Sequence, residues 1–217
     1  EALAAVARSH STDMTEHDFF SHTNLQGEGP TERAQRLGYP VRKDLGGGWY
    51  SEGIGENINQ MPTGNVVGFG YVDNDAESIG RAVVKAFMDS PGHRANILRE
   101  ASCEIGMGYY EGGGQYYRYW TQDFGCRSGI YPVVINQEAA TTDDYHVNLY
   151  IYGSGTWPEM RLRNNSAAWS DWQPFQAELL WELPMAAGEH TVWVELRNGS
   201  QTATSSDSIY LNWTQPV

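Results

Sequence analysis

Beyond residue 131 the apolar residues of this chain fall on every second position, and before residue 127 they do not. Val147, Leu149 and Ile151 alternate with His146, Asn148, Tyr150 and Tyr152. Ala177, Leu179, Trp181 and Leu183 repeat the pattern, as do Val192, Val194 and Leu196, and then Ile209, Leu211 and Trp213. A period of two puts one set of side chains on each face of an extended strand. Short strands at this spacing predict a β-sandwich. The earlier half mixes helical and strand periods. The join, Arg127-Ser-Gly-Ile-Tyr-Pro132, carries Gly and Pro and is the natural boundary. An α+β chain of two domains is expected, mixed over 1–127 and all-β over 131–217.

In the first half Leu3, Val6, Ala7, His10, Met14 and His17 share one helical stripe, so both histidines are expected to be packed. The chain opens inside this helix, and an upstream segment is therefore expected. Residues 30–37 form a second short helix, with Gly38 suited to its C-terminal cap. Asp75 caps a longer helix whose buried face holds Ile79, Ala82, Val83, Ala86 and Phe87. Pro91 ends it at Ser90, and Ser90 is placed to cap a following turn that starts on Pro91. His93 then lies near the start of a new helix. Glu104 to Tyr110, a Gly112-Gly-Gly114 turn and Tyr116 to Phe124 read as a hairpin. Cys103 and Cys126 sit at its open end, where antiparallel pairing favours a disulfide over two separate buried thiols. Such a bridge is worth roughly 3 kcal/mol and implies an oxidising compartment.

The 217 residues carry a net charge of −13. Eleven basic residues face seventeen acidic ones up to residue 127, and three face ten thereafter. Neither half has the clustered Lys and Arg that nucleic acid requires or that docks a protein on anionic lipid. No apolar run reaches the roughly 18 residues of a membrane span. Sequons at Asn164, Asn198 and Asn212 suit a secreted glycoprotein wherever the modifying machinery exists.

Several local wordings stand out when taken together: Leu3 to Ser11 with Met14; Phe20-Ser-His22-Thr; Gly38-Tyr39; Gly55-Glu56-Asn57-Ile58; Ser90-Pro-Gly-His93-Arg-Ala-Asn-Ile-Leu98; Ile105-Gly-Met-Gly108; and Tyr119-Trp-Thr-Gln-Asp-Phe-Gly125. In this order they resemble the bacterial branch of the CAP superfamily, the cysteine-rich secretory and pathogenesis-related type, over residues 3–125. The resemblance implies an α-β-α sandwich, here without the family's first helix. It also implies a cleft of two histidines and two acidic residues. His22, Glu56 and His93 match three of those places, and Ser90 takes the fourth, lining the cleft; Asp89 beside it would serve only if the helix rotated. Two imidazoles and a carboxylate make a site for a divalent metal such as zinc, and equally a polar cluster that ties three segments together. Trp49 and Tyr50, in a loop after Gly46-Gly-Gly48, either rim the cleft or cover the core. His146 and His190 are assigned no chemistry.

Residues 131–213 resemble the Ig-like, fibronectin-type modules of bacterial surface proteins. The resemblance rests on Val134-Ile-Asn136, Met160-Arg-Leu-Arg-Asn164, Trp169-Ser-Asp-Trp-Gln-Pro-Phe175, Gly188 to Leu196 and Ser206 to Leu211. Six of the eight tryptophans fall here. A flat ring can carry a sugar, but Trp169, Trp172 and Trp181 occupy places where such modules build their own core.

The function expected from both resemblances is a secreted, non-catalytic binding or surface protein. Its cleft would engage an extracellular lipid, glycan or protein, and its sandwich would act as spacer or adhesion unit. One alternative is a hydrolase, either metal-assisted or with Ser90 as nucleophile, His93 as base and Glu56 as orienter. Another is a structural subunit that self-assembles through an unpaired edge strand.

Overall fold

A computed structural model describes residues 2–112, 117–153 and 155–214. The chain divides into two compact units, Glu1–Ser128 and Gly129–Val217.

The first unit runs α1 (Ala2–Glu16), α2 (Pro30–Arg36), β1 (Arg42–Gly46), β2 (Trp49–Glu52), β3 (Gly55–Gln60), β4 (Gly64–Val66), β5 (Gly70–Val72), α3 (Ala76–Asp89), α4 (Pro91–Ile97), β6 (Glu104–Glu111) and β7 (Arg118–Gly125). Its main sheet has the antiparallel order β3-β7-β6. The central strand β7 is buried along almost its whole length, because helices cover both faces of the sheet. On one side Met14 of α1 packs with Ile58 and Tyr119, and Ser11 donates to the Thr121 hydroxyl at 2.9 Å. On the other, Ile79, Ala82, Val83 and Phe87 of α3 pack on Met61 and Trp120. Alternation along β7 thus feeds two cores, one per helix layer.

The close seat of α1 depends on two glycines. A Cβ at Gly106 or Gly108 would lie 2.2 Å from the backbone carbonyl carbon of Leu3 or Ala7. At α3 the Asp75 side chain accepts from Ser78 N at 2.8 Å, which satisfies a donor the helix start leaves free. Ser90 does stand before α4 with Pro91 in the first turn, yet its hydroxyl makes no capping hydrogen bond. The fixed φ of Pro91 and the Arg94 N to Ser90 O bond at 2.8 Å start that helix instead. Cys103 and Cys126 are joined, with Cα atoms 5.0 Å apart, at the open end of the β6-β7 hairpin. The hairpin's expected turn lies outside the described residues from position 113.

Two further expectations fail in this unit. His17 lies just past the end of α1, exposed, with its Nδ1 2.9 Å from Asp13; the helix ends at Glu16, one residue before it. Trp49 and Tyr50 belong to a strand, not a loop. In the β1-β2 hairpin Trp49 is 77% exposed and Tyr50, stacked under the Arg42 guanidinium, is 48% exposed, so neither covers the core.

The second unit is built of strands: β8 (Val133–Ile135), β9 (Thr141–Thr142), β10 (His146–Ile151), β11 (Glu159–Asn164), β12 (Gln173–Pro174), β13 (Glu178–Glu182), β14 (Gly188–Asn198) and β15 (Gln201–Leu211). They form one sheet of order β13-β10-β8 and another of order β12-β11-β14-β15-β9. Val147, Leu149 and Ile151 from the first sheet share one apolar core with Met160, Leu162, Val192, Val194, Leu196, Ile209 and Leu211 from the second. These are the residues that period two places on a single face.

Trp181 packs on that core, but Trp169 and Trp172 do not. They stand on the outer face of the larger sheet, in a continuous stack with arginines. Arg163 lies 5.3 Å from the Trp193 ring centre and 4.5 Å from that of Trp169. Arg161 is 5.1 Å from Trp169 and 4.6 Å from Trp172, and Arg197 is 3.9 Å from Trp172. Alternate positions on β11 and β14 point outward, so each guanidinium meets an indole face there and gains cation–π attraction.

Candidate functional site

In the first unit α1, α2, β3, β7 and α4 converge on one buried carboxylate, that of Glu56. Its side chain is 1% exposed. Oε1 accepts from Nδ1 of His22 at 2.8 Å, and Oε2 is held by Nη2 of Arg33, itself 1% exposed. Arg33 comes from α2 and also donates to the carbonyls of His22, at 2.8 Å, and Glu28, at 2.9 Å. The guanidinium therefore fixes both the carboxylate and the backbone of the histidine that the carboxylate holds. His10, fully buried on α1, directs Nε2 at Ser21 O, 2.9 Å away, and stands 3.8 Å from Glu56 Oε1. A ring nitrogen facing a carbonyl carries the proton. Burial, only partly offset by the Glu56 charge, holds the His10 pKa below its ordinary value.

Asp123 on β7 lies directly across from Glu56 on β3. It is completely buried, and neither of its oxygens has a hydrogen-bond donor among the described residues. Burial first, and then repulsion from the Glu56 carboxylate, push its pKa up to about 8. Asp123 therefore holds its proton to higher pH than a free carboxyl does, which lessens the repulsion.

His93 is brought to the same place from α4. Asn57 Nδ2 donates to His93 O at 3.1 Å and to Gln122 Oε1 at 3.1 Å. Asn96 Nδ2 donates to Glu56 O at 3.2 Å and to Asn57 Oδ1 at 2.9 Å. These amides pin α4 to β3. The His93 ring meets Phe87 edge-on at 5.3 Å, and its Nδ1 is buried with no partner among the described residues. Burial, reinforced by nearby His22, lowers its pKa, so the ring is neutral at pH 7.

His22 and His93 face one hollow of about 580 Å³, walled also by Phe20, Ser21, Ile58, Asn59 and Gln60. With Nδ1 of His22 committed to Glu56, Nε2 is left as the ring's outward group, on a side chain 51% exposed. Ser90 does not line this hollow. Asp89 is exposed and pairs with Lys85 one turn away, so it does not stand in for the fourth place.

The expected metal donors His22, Glu56 and His93 come from three segments of the first unit, with Glu56 engaged by His22 and Arg33. Both oxygens of Glu56 are already taken, and no group of three or more His, Cys, Asp or Glu side chains suited to a metal occurs among the described residues. Only two imidazoles are left as donors, with Glu56 orienting one of them. Sequence reasoning picked out His22, Glu56 and His93 but missed Arg33, Asp123 and the contact of His10 with the carboxylate. The one available signal for Asp123 was period two: it alternates with Trp120, Gln122 and Phe124 in a strand expected to be covered on both sides.

A family model described as CAP, the cysteine-rich secretory protein family, matches residues 1–124. The uncharacterised protein YkwD of Bacillus subtilis (strain 168) is 30% identical over 124 residues, which is 57% of this chain and 37% of that protein. An extracellular protein containing a SCP domain from Bacillus anthracis is 26% identical, with a TM-score of 0.42 over 58% of this chain and 32% of its own. An outer surface protein from Borrelia burgdorferi is 18% identical, with a TM-score of 0.41 over 58% of this chain and 74% of its own. The chain thus spans little more than a third of the curated relative it matches. No helix among the described residues is long and apolar enough to cross a membrane.

Proposed function

Because the chain belongs to the cysteine-rich secretory protein (CAP) family, we propose that it is an extracellular or cell-surface binding protein rather than an enzyme, with the hollow beside His22 and His93 receiving the ligand. The observation that carries this reading is the state of Glu56. The serine alternative needs Glu56 to orient His93, but this buried carboxylate is clamped by Arg33 and orients His22 instead, while Nδ1 of His93 has no partner among the described residues. Ser90 lies outside the hollow, which disfavours it as a nucleophile. Phe20 and Ile58 next to Asn59 and Gln60 suit a ligand with both apolar and hydrogen-bonding parts, as an extracellular lipid, glycan or peptide has. The disulfide supports an oxidising location.

A divalent ion such as zinc enters this reading only through Nε2 of His22 and a nitrogen of His93. Bound there, it would supply a Lewis-acidic anchor for a ligand oxygen. We read the second unit as an Ig-like or fibronectin-type module serving as spacer or adhesion unit, on the strength of its two sheets and single core.

The test is an assay of the full chain and of His93→Ala on peptide, ester and peptidoglycan substrates. No turnover by either protein is expected. Turnover by the parent that His93→Ala abolishes would overturn the non-catalytic reading. Zinc titration followed by histidine ring resonances should shift His22 and His93 together; unmoved rings would remove the metal from the proposal.

A further inference from the structure

The second unit has no strong cation to spare. It contains no lysine, and its only arginines are Arg161, Arg163 and Arg197. All three are threaded between the rings of Trp193, Trp169 and Trp172. Two of them are also ion-paired, Arg161 with Glu195 and Arg197 with Glu159. Trp169 and Trp172 each meet two guanidinium groups and Trp193 meets one. Recognition, if this unit performs any, falls to the other sheet.

That sheet presents a hollow of about 710 Å³. His146, Asn148 and Tyr150 alternate along β10 with the buried Val147, Leu149 and Ile151, so they face away from the core. Asn136, Gln137, Asp144 and Glu178 complete the polar wall. The wall is preset by unusual backbone. Asn136, Gln137 and Glu138 have φ of 46°, 58° and 65° in succession, a left-handed run that residues with a Cβ seldom adopt. It is tied down by paired bonds across to β10: Asn136 N donates to Asn148 O at 2.9 Å, and Asn148 N donates to Asn136 Oδ1 at 2.8 Å. Backbone strain held in place this way is characteristic of ligand-positioning loops. Tyr150, 43% exposed, is steadied edge-on by Tyr152 with ring centres 5.4 Å apart.

We propose that this hollow binds a neutral glycan chain. Side-chain amides both donate to and accept from sugar hydroxyls, carboxylates accept from them, and an exposed ring beside them offers apolar area to the face of a pyranose. Asp144 and Glu178, with no Lys or Arg in the lining, repel polymers that carry phosphate, sulfate or carboxylate. Val134, Leu149 and Leu179 also line the hollow and add to the apolar area beside Tyr150. The site is separate from the hollow of the first unit and does not depend on how that one is used.

The experiment is calorimetric titration of the full chain with chitohexaose and with cellohexaose. Saturable binding of at least one is expected, unchanged at high salt because no charge pair is made. Tyr150→Ala should weaken it about tenfold or more, whereas Tyr150→Phe keeps the ring and should bind nearly as the parent does. Trp169→Ala should leave it intact. Absence of binding by both sugars, binding indifferent to Tyr150→Ala, or capture of heptalysine in their place would overturn the proposal.

Discussion

Arg33 is the residue on which the first unit's polar centre turns. It is paired with the buried carboxylate of Glu56, and it holds the His22 carbonyl as well. Arg33→Met keeps the volume but strands a buried negative charge. Urea unfolding should show a loss of roughly 3–5 kcal/mol, and the His22 ring should lose its fixed orientation. Asp123 makes a different prediction, because its folded pKa lies above its unfolded value of 3.8. Between those two pH values the folded protein keeps a proton that the unfolded chain has released. Stability should therefore fall as pH rises from about 4 towards 8, and level off above. Asp123→Asn should flatten that slope in unfolding curves taken at pH 5 and pH 8. His10 acts in the opposite sense. Buried and neutral, it costs stability as pH falls below 6.5, where the unfolded imidazole takes up a proton. None of this was legible beyond His22, Glu56 and His93. An arginine inside Thr31-Glu-Arg-Ala-Gln-Arg36 looks like any solvated helix face, and nothing local distinguishes the buried Arg33 from the exposed Arg36.

At the scale of elements, legibility followed how completely one face of each element is buried. Helices α1 and α3, and strands β10 and β14, each bury one side, so their period survives in the sequence. The β1-β2 hairpin buries almost nothing, and the β4-β5 hairpin buries chiefly Val72; Trp49, Val67 and Tyr71 are all exposed, and no period marks them. The pair Gly106 and Gly108 was noticed only as part of a wording. Its physical content is that the α1 backbone lies on the strand where a side chain would be. Gly108→Ala forces helix and sheet apart and should cost at least about 1–3 kcal/mol in urea unfolding. The arginine–tryptophan stack went unread for the reverse reason. Tryptophans among alternating strands suggest a core, and arginines at 161, 163 and 197 suggest solvent, while each is in fact the partner of the other. Trp172→Ala removes the ring next to both Arg161 and Arg197 and should lower stability by roughly 1–2 kcal/mol.

Taken whole, the chain changes texture within a few residues of the point where its two compact units meet in sequence, after Ser128. Both cysteines lie in the first unit, so reduction should weaken that unit by roughly 3 kcal/mol and leave the melting of the second unchanged. Differential scanning calorimetry with and without reductant separates the two. The position of the bridge also matters for any protein that is pulled. Tension arriving through the second unit enters the first at its last strand, β7, the central strand of the sheet. The covalent clasp at Cys126, just before the junction, stops that strand from being drawn out. With the 23-residue separation shut, a stretched molecule is shorter by roughly 75 Å of contour than its reduced counterpart. Reduction of that bridge would therefore act on this chain as a release for stored length.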